Sequence, residues 1–232
     1  MANVAVVGGN GKVARFLHPL LVREGHLPVA LVRNDAYRHE LEALGAEVRL
    51  LDIEAESSDQ FARAFAGCGA VVFSAGAGTD GRVDRKRTVD LEGSLKSVEA
   101  CALAGIKRFV QISAMAIEDP IPEDAAPAWR AYVEAKRTAD KALRGSQLDW
   151  TILRPGWLSD DPGTHRVLIG RDVPEGDIPR ADVAAVVAAV LDDDRTIGRQ
   201  WELVQDGLVV SQAIAVAELA EVDHSPQWAS TD

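Results

Sequence analysis

Residues 1–33 hold the pattern that most restricts how this chain can fold. A short apolar run at residues 4–7 is followed by a glycine-rich turn, a helical stretch and a second apolar run over residues 27–32. In a strand–turn–helix–strand unit of this kind, the free N–H groups and the dipole of the helix N-terminus bind the pyrophosphate of a dinucleotide. We therefore expect the turn to hold the phosphates of a nicotinamide cofactor through the residues Gly8, Asn10, Gly11, Lys12 and Val13.

The small residues of this turn are spaced as Gly8-x-x-Gly11-x-x-Ala14. We predict that Gly8 permits the sharp exit from the strand and that Gly11 lets the backbone approach the phosphates. Ala14 is small enough for the helix to pack closely on the sheet. A glycine triplet alone also suits an ordinary strand-to-helix turn, but its place between a strand and a helix favours a cofactor site.

The residues after the second apolar run bear on the choice between NAD and NADP. NAD-binding proteins commonly place a carboxylate about 20 residues after the glycines, where it bonds the ribose 2′-hydroxyl. This chain has Arg33, whose guanidinium can bond two oxygens of a 2′-phosphate, and Lys12 and Arg15 can add positive charge. We therefore expect NADP to be preferred over NAD. Two alternatives stay open: Asp35 could serve as the ribose acid, and Arg33 could be a solvated strand end.

Composition and charge restrict the kinds of partner. The chain has 232 residues, 47% of them hydrophobic, and a net charge of −11, which disfavours nonspecific binding to nucleic acid or to an anionic membrane. No apolar run reaches membrane-spanning length. Cys68 and Cys101 have neither metal-binding nor redox spacing, so we expect no metal site and a reducing compartment. A cytoplasmic monomer or homodimer that acts on a small-molecule substrate is the resulting expectation.

Strands and helices alternate along the whole sequence. Further strands are predicted over 46–51, 70–73, 108–113 and 150–153, and helices over 35–44, 57–66, 83–104, 128–143 and 182–191. The strands are apolar runs without polar alternation, which is typical of a parallel sheet covered on both faces. The pattern therefore predicts an α/β fold, a Rossmann-type doubly wound parallel β-sheet with helices on both faces.

No clear domain boundary interrupts this pattern, so we predict one NAD(P)-binding domain over residues 1–232. Its core covers about 1–155, a small C-terminal part covers 156–222, and 223–232 form a tail that we expect to be flexible. The stretches 115–127 and 156–179 are rich in Pro, Gly and Asp and follow the carboxyl ends of strands. We predict that they are substrate loops or lids.

A second constellation consists of Ser113, Tyr132 and Lys136. Tyr132 and Lys136 are four residues apart on one predicted helix and so share a face, and Ser113 ends a predicted strand at the edge where such sheets bind ligands. Reduction of a carbonyl by hydride transfer needs an acid for the forming alkoxide. A nearby ammonium and an oxidised nicotinamide lower the pKa of a tyrosine from its ordinary value of about 10. The alternative is a half-buried tyrosine beside a solvated lysine.

Several other residues have two interpretations. The basic run Arg82, Arg85, Lys86 and Arg87 could favour an anionic substrate or form a solvated helix start. Trp157 could cover the nicotinamide or an aromatic substrate, or it could pack in the core. His165 is a possible second acid but is more typical of a surface loop, and His18 has no predicted partner and is interpreted as structural.

Together these motifs resemble the short-chain dehydrogenase/reductase superfamily, above all its atypical branch of small NADP-binding, NmrA-like and epimerase/dehydratase-like proteins. The resemblance covers nearly the whole chain. It depends on the glycine turn, the Tyr132-x-x-x-Lys136 pair, and residues 31–33, 51–53, 74–76, 89–93, 105–113, 151–156 and 180–184.

The resemblance implies further roles for residues of this chain. Asp52 would bond the adenine amino group and Ile53 would contact the ring, while Ser74, Ala75 and Gly76 would pass beneath the adenine ribose and phosphates. The segment of Pro155, Gly156, Trp157 and Leu158 would approach the nicotinamide carboxamide, and Lys136 would also bond the cofactor ribose. Ser113, Tyr132 and Lys136 fall on the active-site serine, tyrosine and lysine.

Asp90 departs from the common pattern of the superfamily, which has an asparagine there that supports a water-linked proton path to the lysine. An aspartate would raise the pKa of Lys136 and could replace or disrupt that path. Three functions are compatible with these residues. They are an NADP(H)-dependent oxidoreductase or epimerase with Tyr132 as acid or base, a non-enzymatic NADP(H) sensor of the NmrA type, and a reductase of the flavin or biliverdin type that needs no tyrosine acid.

Overall fold

A nine-stranded, mostly parallel sheet forms the centre of the fold in the computed structural model, which describes residues 2–78 and 82–223. The strands are β1 (Asn3–Val7), β2 (Leu27–Val32), β3 (Glu47–Leu50), β4 (Ala70–Phe73), β5 (Arg108–Ile112), β6 (Asp149–Pro155), β7 (Trp157–Ser159), β8 (Arg166–Gly170), β9 (Asp177–Pro179), β10 (Arg199–Gln205) and β11 (Leu208–Val209). Their order across the large sheet is β11-β8-β10-β6-β5-β4-β1-β2-β3, and β7 pairs with β9 separately.

Helices follow most of the strands. They are α1 (Lys12–Arg23), α2 (Arg38–Ala43), α3 (Ser58–Ala64), α4 (Val83–Arg85), α5 (Glu92–Ala104), α6 (Pro127–Arg144), α7 (Arg180–Leu191) and α8 (Val210–Asp223). Two 3-10 turns lie at Asp35–Tyr37 and Asp194–Thr196, and a π-helical segment, Lys86–Leu91, joins α4 to α5.

The strands are apolar without alternation because both faces of the sheet are covered. In β1, Val4 and Val6 belong to a core that also contains residues of α1, α7 and α8. Ala5 and Val7 point to the opposite face and belong to a core shared with α3, α5 and α6. Strands β1 to β6 and β10 run parallel to one another, so the predicted doubly wound parallel sheet is confirmed.

On one side, the sheet ends in the strands β8 and β11, which belong to antiparallel pairs. β8 pairs antiparallel with β10, and β11 pairs antiparallel with β8. The prediction that residues 156–179 are loop or lid is therefore wrong in part, because β7, β8 and β9 lie within this stretch. Val167 and Ile169 of β8 are buried while Arg166 and Leu168 are exposed, so a two-residue alternation is present in this short strand.

The predicted long helix over 83–104 is also different in detail, since its first half is the short α4 followed by the π-helical segment. The predicted tail lies outside the described residues from 224 onward. None of the helices in the described ranges is long and apolar enough to cross a membrane. A search of the same ranges for three or more metal-binding side chains close together finds none.

Gly156 lies where two chain segments approach too closely for a side chain. It links β6 to β7, and a Cβ added there would lie 2.0 Å from the carbonyl oxygen of Gly176. The Gly156 N–H donates to the Leu203 carbonyl at 2.9 Å, and the Trp157 N–H donates to the Gly176 carbonyl at 3.0 Å. These bonds fix the segment that the sequence predicts to approach the nicotinamide.

We expect Gly156→Ala to lower the free energy of unfolding by at least about 2 kcal/mol, because the added methyl group must displace the backbone of Gly176, just before β9, or of the β6–β7 link. Urea unfolding followed by circular dichroism measures this change. Gly145→Ala is the matched control, because its Cβ would meet its nearest neighbours at 3.6 Å, an ordinary contact distance. A Gly156→Ala protein as stable as the Gly145→Ala protein would contradict this description of the β6–β7 link.

Candidate active site

A cleft of about 280 Å³ lies at the carboxyl ends of β1, β2 and β4. Among its lining residues are these predicted cofactor residues: Gly8, Asn10, Gly11, Arg33, Asp52, Ile53, Ser74, Ala75 and Gly76. Tyr37, Glu54, Arg85 and Val89 line the same cleft and were not among the predicted cofactor residues, although Arg85 belongs to the predicted basic run. These four residues are far from the glycine turn in the sequence, and only the fold brings their segments to this edge of the sheet.

The glycine turn has the geometry of an anion cradle. Gly8 has a φ of 78°, and a Cβ there would lie 2.8 Å from the Ala75 Cα, so the turn and the segment after β4 are in close contact. Gly11 is the N-cap of α1 and offers no side chain to the first N–H groups of that helix. Gly8, Asn10 and Gly11 line the cleft at this helix N-terminus, and a helix N-terminus without a side-chain cap fits the phosphates of a dinucleotide.

The His18 side chain forms a hydrogen bond to the backbone of the glycine turn. It is fully buried, and its Nε2 lies 2.7 Å from the Gly9 carbonyl oxygen, so Nε2 carries the proton and donates. Burial lowers the pKa of His18, which keeps the ring neutral near pH 7. The sequence analysis interprets His18 as structural. The structure adds its partner, the Gly9 carbonyl, which the sequence did not reveal.

The charged residues around the open end of the cleft differ in whether they are already paired. Lys12 forms an ion pair with Asp160 at 2.5 Å, and Arg15 bonds Glu40 at 2.8 Å. Asp35, the alternative ribose acid, accepts two bonds from Arg38. Arg33 is exposed at the end of β2 and has no ion pair within the described ranges. Arg33 is thus the cation of this group whose guanidinium is open to a ligand.

Asp52 begins the turn after β3. Its Oδ1 accepts hydrogen bonds from the backbone N–H groups of Glu54 and Ala55, at 2.9 and 3.3 Å. One carboxylate oxygen therefore orders the turn. No hydrogen bond from the described residues reaches Oδ2, which leaves it available for the adenine contact that the resemblance implies.

The predicted catalytic residues come together at the other side of this edge. Lys136 is buried, and its Nζ lies 3.6 Å from Asp90 Oδ1 and donates to the Ile112 carbonyl at 3.2 Å. Asp90 Oδ2 accepts the Ala77 N–H at 3.0 Å. The Lys136 Nζ lies 5.9 Å from the centre of the Tyr132 ring. Within the described part of the chain, the Tyr132 hydroxyl has no hydrogen-bond partner, so it can meet a substrate oxygen.

Opposing effects act on the pKa values of this pair. Burial has the largest effect on the Tyr132 phenol and raises its pKa. The positive charge of Lys136 lowers this pKa, but the negative charges of Asp90 and Asp140 add to the effect of burial, so the pKa is raised overall. Burial by itself lowers the pKa of Lys136, but Asp90, Tyr132 and Asp140 together outweigh it and the pKa is raised. Lys136 is therefore held as a cation, and Tyr132 is held as a neutral phenol.

Ser113 belongs to a buried polar network whose centre is Asp140 of α6. The Ser113 hydroxyl donates to Asp140 Oδ2 at 2.9 Å, the same oxygen that accepts from Arg154 Nε at 2.9 Å. Gln111 donates its side-chain N–H to Asp140 Oδ1 at 2.7 Å, and Arg154 also pairs with Glu118 at 2.7 Å. Because its proton goes to Asp140, Ser113 offers only lone pairs to a ligand in this state.

An aromatic stack borders the catalytic residues. Trp129 lies 5.6 Å from Tyr132 and 5.8 Å from Trp157 between ring centres, and Trp157 is 62% exposed. Trp157 is therefore not a core residue, and its contact with the nicotinamide or a substrate stays a prediction. His165 lies on the exposed loop before β8, where its backbone N–H donates to Asp182.

The basic run at residues 82–87 divides into two kinds of residue. Arg82, Arg85 and Arg87 pair with Asp84, Glu54 and Glu92, respectively. Lys86 instead is buried, with its Nζ 5.4 Å from the centre of the Tyr132 ring. The sequence pattern shows four similar charges and does not reveal which one turns inward.

Comparison with known proteins agrees with the cofactor-binding geometry. The family model described as NAD(P)H-binding matches residues 8–194. The uncharacterised sugar epimerase YhfK of Bacillus subtilis is 38% identical over 212 residues, which cover 91% of this chain and 98% of that protein. A solved structure from Bacillus halodurans, assigned only provisionally as an NAD-dependent epimerase/dehydratase, has a TM-score of 0.85 and 38% identity over 93% of this chain and all of its own.

A reductase of Streptomyces griseus named for a furanone-methyl phosphate substrate is 29% identical over 210 residues, 85% of this chain and 66% of that protein. The predicted resemblance to atypical short-chain dehydrogenase/reductase proteins agrees with these matches. The glycine cradle, the cleft and the family match lead to one conclusion: the chain belongs to the NAD(P)H-binding family.

Proposed function

We propose that this protein is an NADP(H)-dependent oxidoreductase that interconverts a small carbonyl compound and its alcohol, with Tyr132 as the acid or base. The observation that carries the proposal is the Tyr132 hydroxyl, unpartnered among the described residues, beside the buried Lys136–Asp90 pair. A buried charge pair is costly to desolvate, and such pairs recur where a reaction needs a fixed charge. The names of the B. subtilis and S. griseus relatives are compatible with hydride chemistry.

The residues of the cleft would hold the cofactor along the sheet edge. The N-terminus of α1 would bind the pyrophosphate, Arg33 the 2′-phosphate, and Asp52 the adenine amino group. Lys136 would bond the nicotinamide ribose, near the segment from Pro155 to Leu158. When bound, the reduced nicotinamide supplies a hydride to the carbonyl carbon of the substrate.

Tyr132 supplies the proton that balances this step. Its hydroxyl donates a proton to the carbonyl oxygen, and the Lys136 ammonium stabilises the phenolate that remains. Asp90 keeps Lys136 charged and fixes its position. The Ser113 hydroxyl already donates its proton to Asp140, so Tyr132 is the donor to the substrate oxygen in this proposal.

We expect Tyr132→Phe to lower kcat/KM by about 100-fold or more, because it removes the proton donor while it keeps the ring. NADPH consumption with a panel of aldehydes, ketones and quinones measures the effect, and the dissociation constant for NADPH is expected to stay unchanged. Thr138→Ala, at an exposed position of the same helix, is the matched control.

The other two functions predict different results in the same assay. Turnover kept by Tyr132→Phe would indicate direct hydride transfer to a stacked planar acceptor beside Trp157. Tight NADPH binding without turnover of any acceptor would favour a cofactor sensor of the NmrA type.

Substitution of Arg33 tests the preference for NADP. We expect Arg33→Ser to weaken NADPH binding by about 10- to 100-fold, or about 1.4 to 2.8 kcal/mol, because it removes a charge-assisted contact to the 2′-phosphate. Binding of NADH should change little. Isothermal titration with both cofactors measures this, with Arg63→Ser, an exposed arginine of α3, as control.

Asp35→Ala distinguishes the alternative. If Asp35 bonds the ribose, this variant will lose NADH affinity, which contradicts the proposed role of Arg33. If Arg38 holds Asp35 away from the cofactor, as its two hydrogen bonds indicate, NADH affinity will stay the same.

Asp90→Asn should change the pH dependence of the reaction. The reductive reaction needs a protonated Tyr132, whose pKa burial raises, so its rate is expected to be flat through neutral pH and to fall only at strongly alkaline pH. Asp90 raises the pKa values of both Tyr132 and Lys136. Its neutralisation therefore lowers both pKa values and moves the alkaline fall to lower pH.

The pH profile of kcat/KM for wild type and Asp90→Asn measures this shift. Asp59→Asn, on the first turn of α3, is the control and should keep the wild-type profile. An alkaline limb that stays in place, or moves to higher pH, would show that Asp90 does not act on this pair.

A further inference from the structure

Lys86 stands out among the buried charged side chains. It is 6% exposed, and no carboxylate of residues 2–78 or 82–223 lies within 4 Å of its Nζ. Other buried charges have an opposite partner or a set of backbone donors: Lys136 pairs with Asp90, Arg154 with Asp140, and Asp182 accepts N–H groups of the loop before β8. Burial of an unpaired cation lowers the free energy of unfolding. When such a cation lies beside a reactive phenol, it indicates a ligand-binding site.

The surroundings of Lys86 leave part of its ammonium unsatisfied. An ammonium has three N–H donors, and the carbonyl oxygen of Gly78 accepts one of them. The Nζ also lies over the Tyr132 ring, 5.4 Å from the ring centre. The described residues provide no further acceptor, so a bound anion would complete the site.

The position of Lys86 favours the substrate over the cofactor. The phosphate-binding cleft is lined by the glycine turn and by the ends of β2 and β4, and Lys86 is not among its lining residues in the described ranges. Lys86 lies on the π-helical segment one turn before Asp90, on the side of Tyr132. An anion bound to Lys86 would therefore lie next to the phenol that meets the substrate oxygen.

We propose that Lys86 binds an anionic group of the substrate, a carboxylate or a phosphate, and so selects acidic carbonyl compounds. This rests on the proposed function for the nature of the reacting group, but the binding itself does not depend on turnover. The neighbouring arginines do not offer the same contact at the phenol, because each is already paired with a carboxylate at the surface.

The test measures binding of unreactive probes to the NADPH-loaded protein by isothermal titration. Benzoate and phenyl phosphate are the anionic probes, and benzamide is the neutral one. We expect at least one anion to bind about 10-fold or more tightly than benzamide, since a charge-assisted hydrogen bond favours it. Equal affinity for all three probes, or no anion binding, would overturn the proposal.

Substitutions assign the effect to Lys86. Lys86→Met should abolish the preference for the anion, Lys86→Arg should retain it, and Lys141→Met, at an exposed position of α6, should behave as wild type. If Lys86→Met does not fold, Lys86→Gln replaces it, because its amide can still donate to the Gly78 carbonyl. An anion preference that survives the loss of the charge would overturn the proposal.

The result is separate from that of the Tyr132→Phe assay. Anion selectivity without turnover would contradict the oxidoreductase and leave the Lys86 site intact. Turnover of neutral and acidic carbonyl compounds with equal kcat/KM would support the oxidoreductase and contradict the proposed role of Lys86.

Discussion

The carboxylate of Asp140 connects the elements on which the candidate site is built. It accepts hydrogen bonds from Gln111 on β5, from Ser113 just beyond β5, and from Arg154 on β6. Asp140 and Arg154 are both fully or almost fully buried, so each charge would be costly without the other. The requirement to satisfy these charges fixes α6 against the ends of two strands. Tyr132 and Lys136, on the same helix, take their positions from that contact.

A second buried pair fixes the opposite side of the site. Lys136 and Asp90 join α6 to the π-helical segment, and the Ala77 N–H holds Asp90 from the end of β4. Single-turn π-helical segments frequently occur at functional sites, because the wider turn redirects side chains. Here the segment buries Lys86, Val89 and Asp90 while Arg87 stays at the surface. The geometry of the candidate catalytic groups thus depends on an irregular helix.

The sequence predicted the central features of this fold because they follow local rules. Apolar runs without alternation correspond to strands buried on both faces, and the glycine turn corresponds to a strand-to-helix junction with a positive φ at Gly8. The pairing of β8 with β10 was missed, because it joins residues that are about 35 positions apart and only the fold brings them together. The π-helical segment was missed as well, since its few apolar residues carry no clear period.

The candidate site shows the same division between local pattern and tertiary context. Tyr132 and Lys136 could be found by their spacing, and the cofactor residues by their places after strands. Whether a given charge is paired, however, depends on contacts between distant residues. The sequence offers both Arg33 and Asp35 as contacts to the cofactor ribose. Only the structure shows that Asp35 is already bound by Arg38.

The direction of one hydrogen bond has the largest consequence for mechanism. A serine that donates to a substrate oxygen must have its proton free, but the Ser113 proton points to a carboxylate oxygen of Asp140 that also accepts from Arg154. A charge-assisted bond of this kind is about twice as strong as a neutral one, so a neutral carbonyl oxygen does not displace Asp140. In the proposed mechanism, Ser113 then positions Asp140 and α6, and Tyr132 protonates the substrate. In that proposal the proton donor is the hydroxyl of Tyr132, which has no partner in the described part of the chain and whose ring lies near Lys86 and Lys136.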